Sequence, residues 1–114
     1  MINKWEIYHC DLNPTLGSEQ KGARPVLVVS NNLVNHNLPI VTILPLSSIK
    51  GTEKIYPTEI FLPVNISGLT KDSVAMVHQI RTISKSRLRN KISTITDISY
   101  QEKIKETIRN YFEL

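Results

Sequence analysis

The sequence predicts a mainly β chain closed by one C-terminal α-helix. Three observations predict it. Short runs rich in valine and isoleucine recur between residues 6 and 95, separated by proline, glycine and asparagine clusters. The one stretch with helical spacing comes last, carrying Ile104, Ile108, Tyr111 and Phe112 on one side and Lys103, Lys105, Glu106 and Arg109 outside. The chain has 114 residues, 40% hydrophobic and 21% charged, which suits a single domain, 1–114, with a modest core. Strands first and a helix last predict a barrel-like sheet with the helix packed on one end.

A first strand is expected over 6–12, ended by Pro14 and Gly17. A second covers 25–30, where the unbroken run Val26-Leu27-Val28-Val29 implies burial on both faces. Asn31-Asn32 and Asn35-His36-Asn37 read as punctuation. A third strand runs over 39–46, with Pro45 marking a bulge or an end near Ser47-Ser48. A fourth, 58–63, stops at a proline, and 65–69 is read as loop. A long fifth strand over 72–83 would put Ala75, Val77, Gln79 and Arg81 on one face and Val74, Met76, His78 and Ile80 on the other. Residues 84–88 suit a helical turn and 92–95 a short last strand. The helix then starts near Asp97, with Ser99 and Glu102 at capping-box spacing.

No apolar run is long enough to span a bilayer, and the N-terminus lacks the apolar core of an export signal. Cys10 is the only cysteine, which excludes an internal disulfide and a cysteine-based zinc cluster and fits a reducing cytoplasm. The net charge of +4 favours an anionic partner or a solvated basic surface. Arg81, Lys85, Arg87, Arg89 and Lys91 fall within eleven residues containing no acid.

Chemistry is concentrated between the first two strands. The loop there sets Ser18, Glu19, Gln20, Lys21 and Gly22 beside Arg24, and Arg24 is followed by a stiffening proline. Hydroxyls, amides and permanent cations suit a phosphodiester. A rigidly mounted guanidinium can stabilise charge that grows in a transition state. The bland alternative for Arg24 is a surface ion pair with Glu19 or Glu59. Ser47 and Ser48 could offer hydroxyls to a phosphoryl oxygen or simply begin a turn. Of the three histidines, His9 reads as strand surface and His36 as exposed loop, while His78 stands beside Gln79 and Arg81. There is no HExxH, P-loop or GxGxxG pattern.

Four collinear stretches carry a family resemblance. They are Glu6-Ile7-Tyr8 through Asp11-Leu12-Asn13-Pro14, the run from Gly17-Ser18-Glu19-Gln20 through Arg24-Pro25 to Val29, Asp72-Ser73-Val74, and Gln79-Ile80-Arg81-Thr82-Ile83 through Arg87-Leu88. Together they resemble the MazF/PemK family of toxins from toxin–antitoxin pairs. The resemblance implies a small SH3-like barrel of the CcdB/PemK type and a homodimer that cuts single-stranded RNA without a metal or cofactor. It further implies a cognate antitoxin with an acidic C-terminal segment. It assigns catalysis to Arg24 and Ser47. On such a reaction, RNA binding is expected of Ser18, Glu19, Gln20, Lys21 and Gly22 in the loop, of His78, of Gln79 and Arg81 as readers or clamps of the strand, and of Lys85 and Arg87 as sequence-independent attraction. Relatives often carry threonine at Ser47, an acid at His78 and glycine at Trp5. A toxin that poisons DNA gyrase by binding uses the same architecture, with apolar and aromatic residues at its C-terminus, so Tyr111-Phe112-Glu113-Leu114 keep that alternative open. A third reading is an RNA-binding or antitoxin-sequestering domain without catalysis.

Overall fold

Strand β3 (Ile40–Ser48) is the hinge of the architecture, because it serves three neighbours. The computed structural model describes residues 1–114. Along one edge β3 pairs with β2 (Ala23–Val28) through Val26↔Pro45, Leu27↔Leu44 and Val28↔Ile43. Along the other it pairs first with β6 (Arg81–Ser84), over Ile40 to Ile43, and then with β5 (Ser73–Met76), over Leu46 to Ser48. Pro45 stands at the change of partner. Strand β1 (Glu6–Asp11) joins β2 to β7 (Leu88–Thr94), and β4 (Glu59–Leu62) flanks β5, giving seven antiparallel strands. A 3-10 turn, Lys85–Arg87, leads β6, on β3, into β7, on β1, so β1, β2, β3, β6 and β7 form a barrel-like sheet joined at this point by the turn rather than by a ladder.

Alternation along the strands divides the apolar side chains between two cores. Tyr8, Cys10, Leu12, Val26, Val28, Val41, Ile43 and Ile83 fill the barrel. Ile7, Leu27, Leu44 and Leu46 face the other way, where β4, β5 and the C-terminal helix α3 (Ile98–Phe112) cover them with Ile60, Leu62, Ala75 and Ile104. This two-sided burial is the one expected from the unbroken apolar run of β2.

Several boundaries differ from the sequence reading, each for a local reason. The expected strand over 72–83 is broken by a 3-10 turn, Val77–Gln79, which lets one segment of chain pair with both halves of β3. The asparagine cluster forms a short helix, α1 (Asn32–Asn37). Asn31 caps it by accepting from the Val34 amide, and buried Asn35 donates to the Ser30 carbonyl. A second short helix, α2 (Val64–Ser67), replaces the expected loop. Strand β7 begins four residues earlier than expected, because its outward residues Arg89, Asn90 and Lys91 hide the pattern. Helix α3 is capped by Asp97, whose carboxylate accepts from the Tyr100 amide, while Ser99 donates its hydroxyl to Asp97.

Position 5, where glycine is usual in the resembling family, also has a structural cause. Trp5 has φ 76, in the left-handed region. It is held there by long-range backbone bonds, its amide to the Val28 carbonyl at 2.8 Å and its carbonyl from the Ile95 amide at 2.9 Å.

Candidate active site and its loop

The polar loop between β1 and β2 is folded on itself and fastened from outside. At its base the Leu12 amide donates to the Gly22 carbonyl (3.1 Å), and the Gly22 amide to Asn13 Oδ1 (3.2 Å). Gly22 has φ 84, a conformation that suits only glycine at low cost. Glu19 closes the tip: its carboxylate accepts from the Leu16 amide at 2.6 Å, and its own amide donates to the Leu16 carbonyl. Three side chains from the 77–87 segment then hold the loop. Arg81 Nη1 donates to the Leu12 carbonyl (3.0 Å), Arg87 Nη1 to the Asp11 and Asn13 carbonyls (3.3 and 2.6 Å), and the Gln79 amide bonds Ser18 and Gln20.

Arg24 lies where the loop enters β2. Its Nε donates to the Lys21 carbonyl at 3.2 Å and its Nη1 to the Leu46 carbonyl at 3.3 Å. No carboxylate neutralises it. The three ion pairs of the molecule are Lys91–Glu6, Lys105–Glu102 and Arg109–Glu106, so the surface pair with Glu19 or Glu59 does not form. The β2–β3 register ends with Val26 opposite Pro45. Beyond that pair the contact is the Arg24 guanidinium itself, which reaches the Leu46 carbonyl and so lies beside half-buried Ser47, the next residue of β3.

Next to this pair, on the Pro45 side, opens a cleft of about 270 Å³ lined by Glu19, Gln20, Pro45, His78, Gln79, Ile80 and Arg81. His78 is exposed in it, with Nδ1 2.8 Å from Thr58 Oγ1. Arg81 also lines a second opening beyond Glu19, beside Pro14, Thr15 and Leu16. Ser18, Glu19 and Lys21 are exposed, and Gln20 and Gly22 half-buried.

The structure therefore gathers Arg24, Ser47, Ser18 to Gly22, His78, Gln79 and Arg81 in one region. The route for Gln79 and Arg81 differs from strand alternation, since Gln79 lies on the 3-10 turn and both turn polar atoms toward loop carbonyls or amides. Arg87 holds the loop's base. Lys85 does not join them. Its amide donates to the Pro39 carbonyl, so it stands at the opposite end of β3 from Ser47, about 26 Å along the strand at the usual rise per residue. Sequence reasoning missed Thr58, twenty residues from His78, and the Leu46 carbonyl, because neither carries a local signal. His9 lies on the opposite face of the sheet beside Pro25, and His36 is exposed and bonded to Asn3. Cys10 is buried, and burial pushes its thiol pKa up, which suits packing rather than reactivity. No group of three or more His, Cys, Asp or Glu side chains is arranged to hold a metal, and no helix is long and apolar enough to cross a membrane.

Comparison with known proteins gives a consistent result. The family model described as PemK-like, MazF-like toxin of type II toxin–antitoxin system matches residues 3–112. Endoribonuclease EndoA of Bacillus subtilis (strain 168) is 34% identical over 109 residues, covering 96% of this chain and 92% of that protein. MazF from Deinococcus radiodurans has the same fold, with a TM-score of 0.83 at 20% identity over 99% of this chain and 97% of the other. So does an endoribonuclease from a mycobacterial species, solved in complex with its cognate antitoxin, with a TM-score of 0.76 at 24% identity over 100% and 97%.

Proposed function

The chain belongs to the PemK-like, MazF-like toxin family of type II toxin–antitoxin systems, and from that premise we propose that it is an endoribonuclease that cuts single-stranded RNA. The carrying observation is the unneutralised guanidinium of Arg24, fixed on the Lys21 carbonyl and on the carbonyl of Leu46, the residue before Ser47. The ribose 2′-oxygen attacks the adjacent phosphorus and loses its proton. The bond from phosphorus to the 5′-oxygen breaks, and that oxygen takes up a proton. The products are a 2′,3′-cyclic phosphate and a 5′-OH end. Charge builds on the phosphoryl oxygens as phosphorus becomes five-coordinate. Arg24 and the Ser47 hydroxyl stabilise it, each contributing on the order of 3 kcal/mol. Nothing in the scheme calls for a metal.

Ser18 to Gly22, His78 and Arg81 line the path of the strand, and Lys21 adds sequence-independent attraction. The acting form is a cytoplasmic homodimer, neutralised by an antitoxin whose acidic segment covers the loop. Support for that partner is the mycobacterial relative bound to its own antitoxin. The gyrase-binding alternative is not favoured, since the curated relative covering nearly the whole chain is an endoribonuclease.

The test is cleavage of single-stranded RNA in EDTA, with the new ends mapped. Wild-type protein is expected to cut and to leave 5′-OH ends. Arg24→Ala and Ser47→Ala should each lower the rate by about 10²-fold or more, and RNA with a 2′-deoxy sugar at the cut position should remain intact. Cleavage that appears only when magnesium is restored overturns the metal-free scheme, and an Arg24→Ala variant with parental rate removes Arg24 from it.

A further inference from the structure

Gln79 is bonded at both ends of its side-chain amide. Its Oε1 accepts from the Gln20 amide and its Nε2 donates to the Ser18 carbonyl, each at 3.1 Å. It is the side chain that grips the tip of the loop from outside, since Arg81 and Arg87 reach only carbonyls of Asp11, Leu12 and Asn13 at the base. The residue after Gln20 is Lys21, and the Lys21 carbonyl accepts from Arg24 Nε. A continuous path of bonds therefore runs from the Gln79 amide through the Gln20 backbone to the guanidinium.

We propose that Gln79 is a positioning residue for Arg24, aiming the guanidinium by fixing the backbone of Ser18 to Lys21, and that it does not read RNA bases. This rests on the nuclease reading above. The physical reason is that Arg24 has only two anchors. The Leu46 carbonyl belongs to a strand, whereas the Lys21 carbonyl belongs to the loop, and its peptide has two ties: the Gly22 amide on Asn13 Oδ1 at the base, and Gln20, held by Gln79, on the tip side. With the tip-side tie lost, the Lys21 peptide pivots about its remaining bond to Asn13, and the guanidinium it holds tilts about the Leu46 carbonyl. Misplacement of a charge-stabilising group by about 1 Å is enough to cost about 10²-fold in rate. Binding of the ground-state strand depends on the positive charge, which is unchanged, so the defect falls on kcat.

Two variants separate this from base reading and from simple unfolding. Gln79→Met keeps the volume and loses both bonds, and Gln79→Glu keeps the acceptor for the Gln20 amide. We expect Gln79→Met to lower kcat by about tenfold to a hundredfold and Gln79→Glu to fall between it and wild type. For Gln79→Met, which leaves the charge unchanged, the Kd for an oligonucleotide carrying a 2′-deoxy sugar at the cut position should change by less than about threefold, and sequencing of 5′-OH ends should return the same cut sequences. In RNA-free protein, hydrogen exchange at Arg24 Nε, followed by nitrogen-15 NMR, should be about tenfold faster in Gln79→Met. A changed set of cut sequences, a defect confined to KM, parental kcat, or unchanged Nε exchange overturns the proposal. Wild-type protein that fails to cut RNA overturns the nuclease reading instead, and the exchange measurement then decides the positioning of Arg24 by itself.

Discussion

At position 5 the backbone lies at φ 76 while carrying the molecule's only tryptophan. A side chain in the left-handed region costs about 1–2 kcal/mol, which glycine avoids. Here the indole offsets that cost by packing half-buried against the core shared with α3, under the ammonium of Lys4 at 5.0 Å from the ring centroid. Two substitutions separate the effects. Trp5→Ala removes the packing and keeps the strained φ; Trp5→Gly removes both. Trp5→Gly should therefore be more stable than Trp5→Ala by about 1 kcal/mol, the reverse of the order at ordinary positions, with both below wild type. Urea melts followed by far-UV circular dichroism measure this without relying on the deleted fluorophore. Equal stability of the two variants would mean that the chain relaxes out of the left-handed conformation. At this scale the residues offered Arg24, Ser47 and Ser48 as a permanent cation and hydroxyls at strand ends, and the family resemblance singled out Arg24 and Ser47. Neither could show which atoms aim them, since the Leu46 carbonyl looks like any other in a sequence.

Among the elements, the β1–β7 seam carries the one ion pair with a buried member. Glu6 is 5% exposed, and its carboxylate accepts from the Asn3 amide at 2.6 Å and the Tyr8 hydroxyl at 2.8 Å, and pairs with Lys91 at 2.8 Å. Burial pushes the Glu6 carboxyl up, but the bonds from Lys91, Asn3 and Tyr8 outweigh it and hold the pKa below the ordinary glutamate value. The Tyr8 hydroxyl, pushed up to about 12 first by burial and then by Glu6, stays a proton donor throughout. A depressed carboxyl stabilises the fold above the ordinary glutamate pKa of about 4.3, and that stabilisation is lost as the pH falls through the lowered value. Because Lys91 is half exposed, the pair contributes about 1 kcal/mol. Glu6→Gln should lose that amount at pH 7, and its deficit relative to wild type should shrink as the pH falls below the ordinary glutamate pKa of about 4.3 and close below the lowered one. A deficit independent of pH would assign the effect to packing. The same seam explains why elements were only partly legible. Strand β7 was half hidden because its register on β1 shifts at Tyr8 and its outward residues are polar. The break at Val77–Gln79 was invisible because the alternation of Val74 to Arg81 fits one long strand equally well, and only the two-partner role of β3 calls for a turn. The β2 run and the Ile104 and Ile108 part of the α3 stripe were legible because burial writes itself into composition, whereas Tyr111 and Phe112, read into the same stripe, are exposed and pack edge to face on each other.

Over the whole molecule, the charge of +4 is divided between cations that face the loop and cations committed elsewhere. Lys91 is paired with Glu6, and Lys85 stands at the far end of β3. Arg87 lies at the loop's base, by the Asp11 and Asn13 carbonyls, rather than beside Ser18 to Gly22. That leaves Lys21, Arg24 and Arg81 as the cations around the cleft. A single-stranded nucleic acid releases about 0.7 counterions for each phosphate neutralised, so three contacts predict a slope near 2 when log Kd for RNA is plotted against log salt concentration. Fluorescence anisotropy with an oligonucleotide carrying a 2′-deoxy sugar at the cut position, over a range of potassium chloride concentrations, measures it. Lys21→Ala should reduce the slope by about 0.7 and weaken binding to all sequences alike, whereas Lys85→Ala should leave it unchanged. An acidic peptide bound over the loop would meet the same three cations, so its competition with RNA should weaken in parallel as salt rises. A slope well above 2 that falls on removing Lys85 would mean that the strand runs the length of β3 rather than staying at the loop.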